Sequence, residues 1–157
     1  MKPHLLFAVS LMFASVTPAH CREPIEPLLQ AASKALDHYQ QLAPGFHCED
    51  ATTKDLRDAC KIALDDLKSR VQEASAEIAR YRQLPNPQAV DLFDAYQVFR
   101  RVMDGVETLN FAPDFYGERN QQLFAEAYNT FVKITGWFGG VVRETIEDAG
   151  KCSEHRG

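Results

Sequence analysis

The sequence predicts an all-α protein, an up-down-up-down four-helix bundle, from three observations. Four stretches of the chain repeat apolar residues at spacings of three and four, which is the period of one helix face. No stretch alternates apolar and polar residues between turn signals, as a half-buried strand would. The connection Leu84-Pro85-Asn86 is short, and a short connection makes the helices that it joins antiparallel neighbours. This excludes the long crossovers of helical cytokines.

The first predicted helix begins near Pro24 or Pro27, because proline is tolerated in a first turn, where its missing N–H loses no helical bond. Pro44-Gly45 ends this helix. Its apolar face consists of residues three and four apart, namely Leu28, Leu29, Ala32, Leu36 and Tyr39.

The second predicted helix has the longest regular stripe in the chain. Thr52 and Asp55 stand three residues apart at its start, as in a capping box, and Pro85 stops it. Its apolar face keeps the three-four spacing for seven turns through Leu56, Cys60, Ala63, Leu67, Val71, Ala74, Ile78 and Tyr81.

The third predicted helix begins with Asn86 as its cap and Pro87 as its first residue. The fourth is predicted from about residue 118 to residue 149, with Gly150 ending it. The apolar faces are Leu92, Tyr96, Phe99, Met103, Val106 and Leu109 in the third helix, and Phe124, Ala127, Phe131, Thr135, Phe138, Val142 and Ile146 in the fourth.

Three glycines interrupt the fourth predicted helix, at Gly136, Gly139 and Gly140. Each interior glycine destabilises a helix by about 1 kcal/mol relative to alanine. They indicate a kink, a break, or a point where another backbone comes close, and the sequence leaves these three structures open.

The chain begins with the pattern of a signal peptide. Lys2 gives a basic start, residues 5–14 form an apolar run, and Thr17-Pro18-Ala19 offers small residues for cleavage. The run is shorter than the roughly 20 residues that span a bilayer. We therefore predict residues 1–19 to be a signal peptide and residues 20–157 to be a single helical-bundle domain. The mature protein is then extracytoplasmic, either periplasmic or secreted.

The charge balance argues against nucleic acid as a partner. The chain has 17 Lys and Arg residues and 22 Asp and Glu residues. Cleavage after Ala19 removes Lys2 alone, so 16 basic against 22 acidic residues give a mature net charge of −6. Nucleic-acid phosphates bind to basic patches, and the longest basic run here is Arg100-Arg101. After the signal peptide, no segment is long and apolar enough to span a membrane.

Four cysteines in an exported chain predict two disulfides, for which three connectivities are possible. In an up-down-up-down bundle, Cys48 in the first connection and Cys60 early in the second helix lie at one pole. Cys21 and Cys152 flank the chain ends at the other pole. A helix of about 30 residues separates the poles by about 45 Å, and bridged Cα atoms lie within about 7 Å. The predicted pairs are therefore Cys48–Cys60 and Cys21–Cys152.

Other roles for the cysteines are poorly supported. His20 precedes Cys21, where a lipid-modified cysteine requires a small residue. The absence of Cys-x-x-Cys excludes a thioredoxin-like redox pair and c-type haem attachment. His47-Cys48 could suggest a nucleophile with its base, but such partners meet in space rather than in sequence.

The sequence contains no recognisable catalytic or metal-binding motif. Glu-x-x-His, His-Glu-x-x-His, Gly-x-Ser-x-Gly and phosphate-binding glycine loops are all absent. We therefore predict no enzymatic activity, no catalytic residues, no bound metal and no cofactor. Trp137 stands between glycines, which leaves room beside it for a small apolar ligand.

Two connections, residues 45–50 and 111–117, are predicted to meet at one pole of the bundle. Rigid loops that combine polar and aromatic residues are where binding tends to occur. The polar residues there, which we call the candidate pole, are His47, Glu49, Asp50, Asp114, Tyr116 and Arg119. The alternative is that Phe46, Phe111 and Phe115 cap the core while the charges only solvate the end.

Three functional hypotheses follow, and the least favoured is an enzyme of unfamiliar type, since no activated nucleophile or tuned acid–base pair is visible. The first is a non-enzymatic, exported binding module whose partner is another exported or envelope protein. The second is a carrier of a small ligand or a metal that uses the aromatic interior or His47 at the pole. A cavity of roughly 300 Å³ or more beside Trp137 would favour the carrier, whereas a filled core would favour the binding module.

Overall fold

The computed structural model describes the backbone of residues 25–110 and 113–154 and the side chains of residues 25–109 and 118–149. It contains four helices: α1 Ile25–Leu42, α2 Lys54–Gln83, α3 Ala89–Asn110 and α4 Pro113–Glu154. Two 3-10 turns, Ala43–Gly45 and Cys48–Asp50, lie in the connection between α1 and α2. These described residues include no strand, and the predicted all-α four-helix bundle is confirmed.

The helices pack as a ring in chain order. α2 packs on α3 and α3 on α4, and α1 closes the ring by packing on α4. The α1–α2 seam is less closely packed than the other three, and the diagonal pairs have few contacts. Within the described residues, no helix is long and apolar enough to cross a bilayer.

The core is formed by the predicted apolar faces. All five residues of the α1 face are buried, as are six of the eight predicted for α2. Tyr96 and Thr135 are only partly buried, and Ile146 is 49% exposed, so the stripe of α4 leaves the core before its predicted end.

Aromatic rings fill the centre of the core. Phe99 lies 5.5 Å from Phe131 and 5.8 Å from Phe138 between ring centroids, and all three side chains are fully buried. Tyr39 reaches the same cluster from α1, with its ring 6.4 Å from that of Phe131. Phe131 of α4 therefore makes ring contacts with both α1 and α3.

The starts of α2 and α3 differ from prediction by one and two residues. Thr53, not Thr52, caps α2, because its hydroxyl accepts a hydrogen bond from the Leu56 N–H at 3.2 Å. α3 begins after Gln88, whose N–H donates to the Asp91 carboxylate at 2.8 Å. The helix therefore starts two residues after Pro87, which had been predicted to be its first residue.

α4 is longer than predicted at both ends. It begins at Pro113 rather than near Glu118, since a proline in the first helical position loses no hydrogen bond. It also continues through Gly150 to Glu154. The cost of about 1 kcal/mol for an interior glycine weakens a helix without ending it.

The glycines within α4 do not break it, since the helix is continuous from Pro113 to Glu154. Gly139 makes room for a side chain of α3, because a Cβ there would lie 3.1 Å from the Tyr96 hydroxyl oxygen. At Gly136 and Gly140 a Cβ would meet no atom within 4 Å. Packing therefore explains one glycine of the three.

This difference predicts the effect of alanine at each position. Gly136→Ala and Gly140→Ala should each raise the free energy of unfolding by about 1 kcal/mol, since alanine favours the helix and meets open space. Gly139→Ala should gain much less, because the new methyl group presses on Tyr96. Chemical denaturation of the three variants measures this, and equal gains at all three positions would contradict the role assigned to Gly139.

Candidate functional site

The α1–α2 connection is cross-linked to α2. Cys48 and Cys60 form a disulfide with Cα atoms 5.5 Å apart, as predicted, and both residues are buried. The Arg57 side chain adds a second link, because its Nη1 donates to the Ala51 carbonyl at 3.0 Å. These contacts hold residues 48–51 against the first turns of α2.

A buried asparagine attaches the same connection to α4. The Asn120 side chain is fully buried, its Oδ1 accepts from the His47 N–H at 2.9 Å, and its Nδ2 donates to the His47 carbonyl at 2.8 Å. One amide therefore bonds both backbone groups of His47, whose carbonyl also accepts from the Asp50 N–H at 3.2 Å. This contact places the first connection beside the start of α4, as the bundle topology predicts.

Phe46 anchors the connection to the core. Its ring is buried and stacks on that of Phe124 with centroids 4.2 Å apart, and it lies 6.3 Å from the ring of Tyr39. Gly45 brings the backbone close to α4, since a Cβ there would lie 3.1 Å from Leu123 Cδ1. Phe46 thus caps the core, as the alternative interpretation of the pole predicts.

Charges on the outer side of the connection are paired with α2. The Glu49 carboxylate lies 2.9 Å from Lys61 Nζ and 3.9 Å from Arg57 Nε. The hydrogen bond from Lys61, followed by its positive charge, lowers the pKa of the Glu49 carboxyl below its ordinary value of 4.5. Glu49 is fully exposed, so this pair contributes little to stability.

The residues of the candidate pole are distributed over two elements. His47, Glu49 and Asp50 lie exposed in the first connection, and Arg119 lies exposed on α4, directly before the buried Asn120. Asp114 and Tyr116 had been placed in a loop, but they lie within the first turns of α4 because the helix starts at Pro113. Their side chains lie outside the described part.

The second predicted disulfide, Cys21–Cys152, also lies outside the described residues. Cys21 precedes them, and only the backbone of Cys152 is described, within α4. This disulfide therefore remains a prediction.

Sequence reasoning missed the contacts that fix the connection. Asn120 lies four residues before Phe124, in register with the apolar face of α4, and a polar residue on such a stripe is the signal that could have identified it. No comparable signal marks Arg57 or Lys61, since their partners depend on the path of the loop.

The aromatic interior and the exposed tryptophan bear on the carrier hypothesis. In the interior, the Phe99 ring lies against the rings of Phe131 and Phe138. Trp137 is 43% exposed and lies at the surface of α4 instead of lining the interior. Among the side chains that the structure describes, no three His, Cys, Asp or Glu residues are grouped so that they could hold a metal ion.

Fold and site together define the class of this protein, an all-α four-helix bundle whose first connection is fixed by a disulfide and a buried amide. No protein-family model, no curated protein and no solved structure matches the chain.

Proposed function

We propose that this protein is an exported, non-enzymatic binding module whose candidate pole recognises another exported or envelope protein. The observation that carries the proposal is the rigid presentation of the first connection. The Cys48–Cys60 disulfide ties it to α2, the Asn120 amide ties it to α4, and the Phe46 ring packs on both α4 and α1.

Rigidity favours binding because an ordered loop loses little conformational entropy when it meets a partner. The groups that this loop presents are polar and exposed: His47, Glu49 and Asp50, with Arg119 nearby on α4. Ile62, which follows Lys61 in α2, adds an apolar side chain that is 71% exposed. Charged residues around a few apolar side chains are the usual composition of a transient interface.

Export is supported by the signal-peptide pattern of residues 1–19 and by the use of Cys48 and Cys60 as a cross-link. Disulfides persist in oxidising compartments and are rare where glutathione keeps thiols reduced. A partner in the same compartment is therefore part of the proposal.

Site-specific photo-cross-linking in the source cells tests the proposal. A photoreactive residue at Asp50 or at Arg119 should yield the same discrete protein adduct. The control position is Val90, which is 62% exposed at the opposite end of the bundle and so reports nonspecific apolar contact. Adducts of equal yield from Val90, or none from either pole position, would contradict the proposed surface.

Charge-reversal variants test whether the acidic residues of the candidate pole contribute to binding. Glu49→Lys with Asp50→Lys should reduce the Arg119 adduct several-fold, because reversed rim charges slow association. Glu144→Lys with Glu147→Lys makes the same change in net charge on an exposed part of α4 away from the pole and should leave the yield unchanged.

A further inference from the structure

A cleft of about 400 Å³ lies on the seam between α1 and α2. This is the seam that packs least closely in the ring. Its lining is Tyr39, Gln40, Ala43, Pro44, Lys68, Val71 and Gln72, and none of these belongs to the candidate pole. The volume is within the range of about 300 to 1,000 Å³ that is usual for small-ligand sites.

Tyr39 gives the cleft a hydroxyl group that no described residue bonds. The side chain is 2% exposed, yet its hydroxyl makes no hydrogen bond to any described residue and is not sealed from solvent. Burial raises the pKa of the Tyr39 phenol, so the hydroxyl stays protonated and can donate. Because this hydroxyl reaches solvent, water can bond it in the free protein, and a ligand in the cleft can replace that water as its partner.

The other polar groups that line the cleft are exposed donors that no described residue engages. Lys68 has no ion pair with any residue in the described part of the chain, and Gln40 and Gln72 have no side-chain hydrogen bonds there. The lining contains no Asp or Glu residue. Although the whole chain has a net charge of −5, a negatively charged ligand in this cleft would meet the Lys68 ammonium group and no carboxylate.

The remaining wall is apolar. Val71 is 1% exposed and is part of the core, and Ala43 and Pro44 form the side of the cleft at the end of α1. A ligand that fits these surfaces has an apolar body and one anionic end.

We propose that this cleft binds a small amphiphilic carboxylate, with its apolar body along Ala43 and Pro44, over the buried Val71, and its carboxylate at Lys68. The Tyr39 hydroxyl and the amides of Gln40 and Gln72 are the additional donors. Liquid water takes up roughly 30 Å³ per non-hydrogen atom. At that density the cleft volume of about 400 Å³ corresponds to about a dozen non-hydrogen atoms, which is the size of decanoate. The proposal adds a second binding surface to the one at the pole and does not depend on it.

Titration of the mature protein with decanoate, followed by calorimetry and by amide chemical shifts, tests the proposal. We expect saturable binding below the concentration at which decanoate forms micelles, with shifts grouped around Tyr39 and Val71. Decyltrimethylammonium, which has the same chain and the opposite charge, should bind at least tenfold more weakly. Shifts grouped elsewhere, equal affinity for both probes, or no binding of decanoate would overturn the proposal.

Variants of two lining residues separate a specific site from general apolar contact. Lys68→Met keeps the apolar stem and should weaken decanoate binding about tenfold, since a hydrogen bond to a charged group contributes about 1.5 kcal/mol or more. Tyr39→Phe keeps the buried ring and should weaken it about threefold or more, in the range of a neutral hydrogen bond. Lys133→Met, an exposed lysine of α4, is the matched control and should change nothing. Equal affinities for Lys68→Met and Lys133→Met would also overturn the proposal.

Discussion

Replacing Cys48 and Cys60 together by alanine should lower the free energy of unfolding by about 3 kcal/mol while the protein stays helical. The disulfide closes a loop with a sequence separation of 12. In the chain-entropy model, a closed loop of about that length restricts the unfolded chain by roughly 3 kcal/mol. The bridge also restrains the residues that carry His47, Glu49 and Asp50, so the loss should be accompanied by greater mobility of this connection.

Chemical denaturation and circular dichroism measure this effect. Ala59→Ser, beside Cys60 on α2, is a control for substitution near the bridge and should change stability little. A loss of less than about 1 kcal/mol in the double variant would mean that Asn120 and Phe46 hold the connection without the cross-link.

Asn120→Ala should also be destabilising, by about 2 kcal/mol. Its side chain is fully buried and bonds both backbone groups of His47, so the substitution leaves the His47 N–H without a partner. The His47 carbonyl loses one bond and keeps the one from the Asp50 N–H. An unsatisfied donor costs about 1 to 3 kcal/mol, with the lower part of that range applying to a partly buried backbone, and the lost bond to the carbonyl adds about 1 kcal/mol. Thermal and chemical unfolding measure the loss.

Two variants make the Asn120 experiment specific. Asn129→Ala removes an exposed amide from the same helix and should change stability by less than about 0.5 kcal/mol. Asn120→Asp keeps the acceptor for the His47 N–H but turns a carboxylate oxygen toward the His47 carbonyl. At neutral pH this variant should have a lower free energy of unfolding than wild type. The difference from wild type should become smaller in acid, where the new carboxyl group is protonated and can donate to the His47 carbonyl. If Asn120→Ala and Asn129→Ala unfold alike, the amide does not anchor the connection.

The sequence predicts the helices well because the information is local. The period of residues such as Leu28 and Leu36 in α1, or Leu67 and Val71 in α2, depends only on helix geometry, and these residues are buried as predicted. The Cys48–Cys60 pair was also predictable, since helix length and topology together exclude the alternatives.

Helix ends and the site depend on contacts that a sequence pattern does not record. Thr52 and Thr53 are equally good caps by type, and only the path of the chain assigns the bond with Leu56 to the second of them. The bonds between Asn120 and His47 join residues 73 positions apart. The cleft beside Tyr39 is likewise a property of how loosely two helices pack, which no periodicity reports.

The uneven packing of the ring has a consequence for the order of folding. α2 and α3 are joined by a short connection, as are α3 and α4, so their contacts form with little loop-closure entropy. α1 obtains more of its contacts from α4 than from its chain neighbour α2, and the His38–Glu126 bridge between them spans 88 residues. Distant contacts form late when near ones are available, so α2, α3 and α4 should assemble first as a three-helix intermediate or transition state. α1 then docks last and closes the bundle.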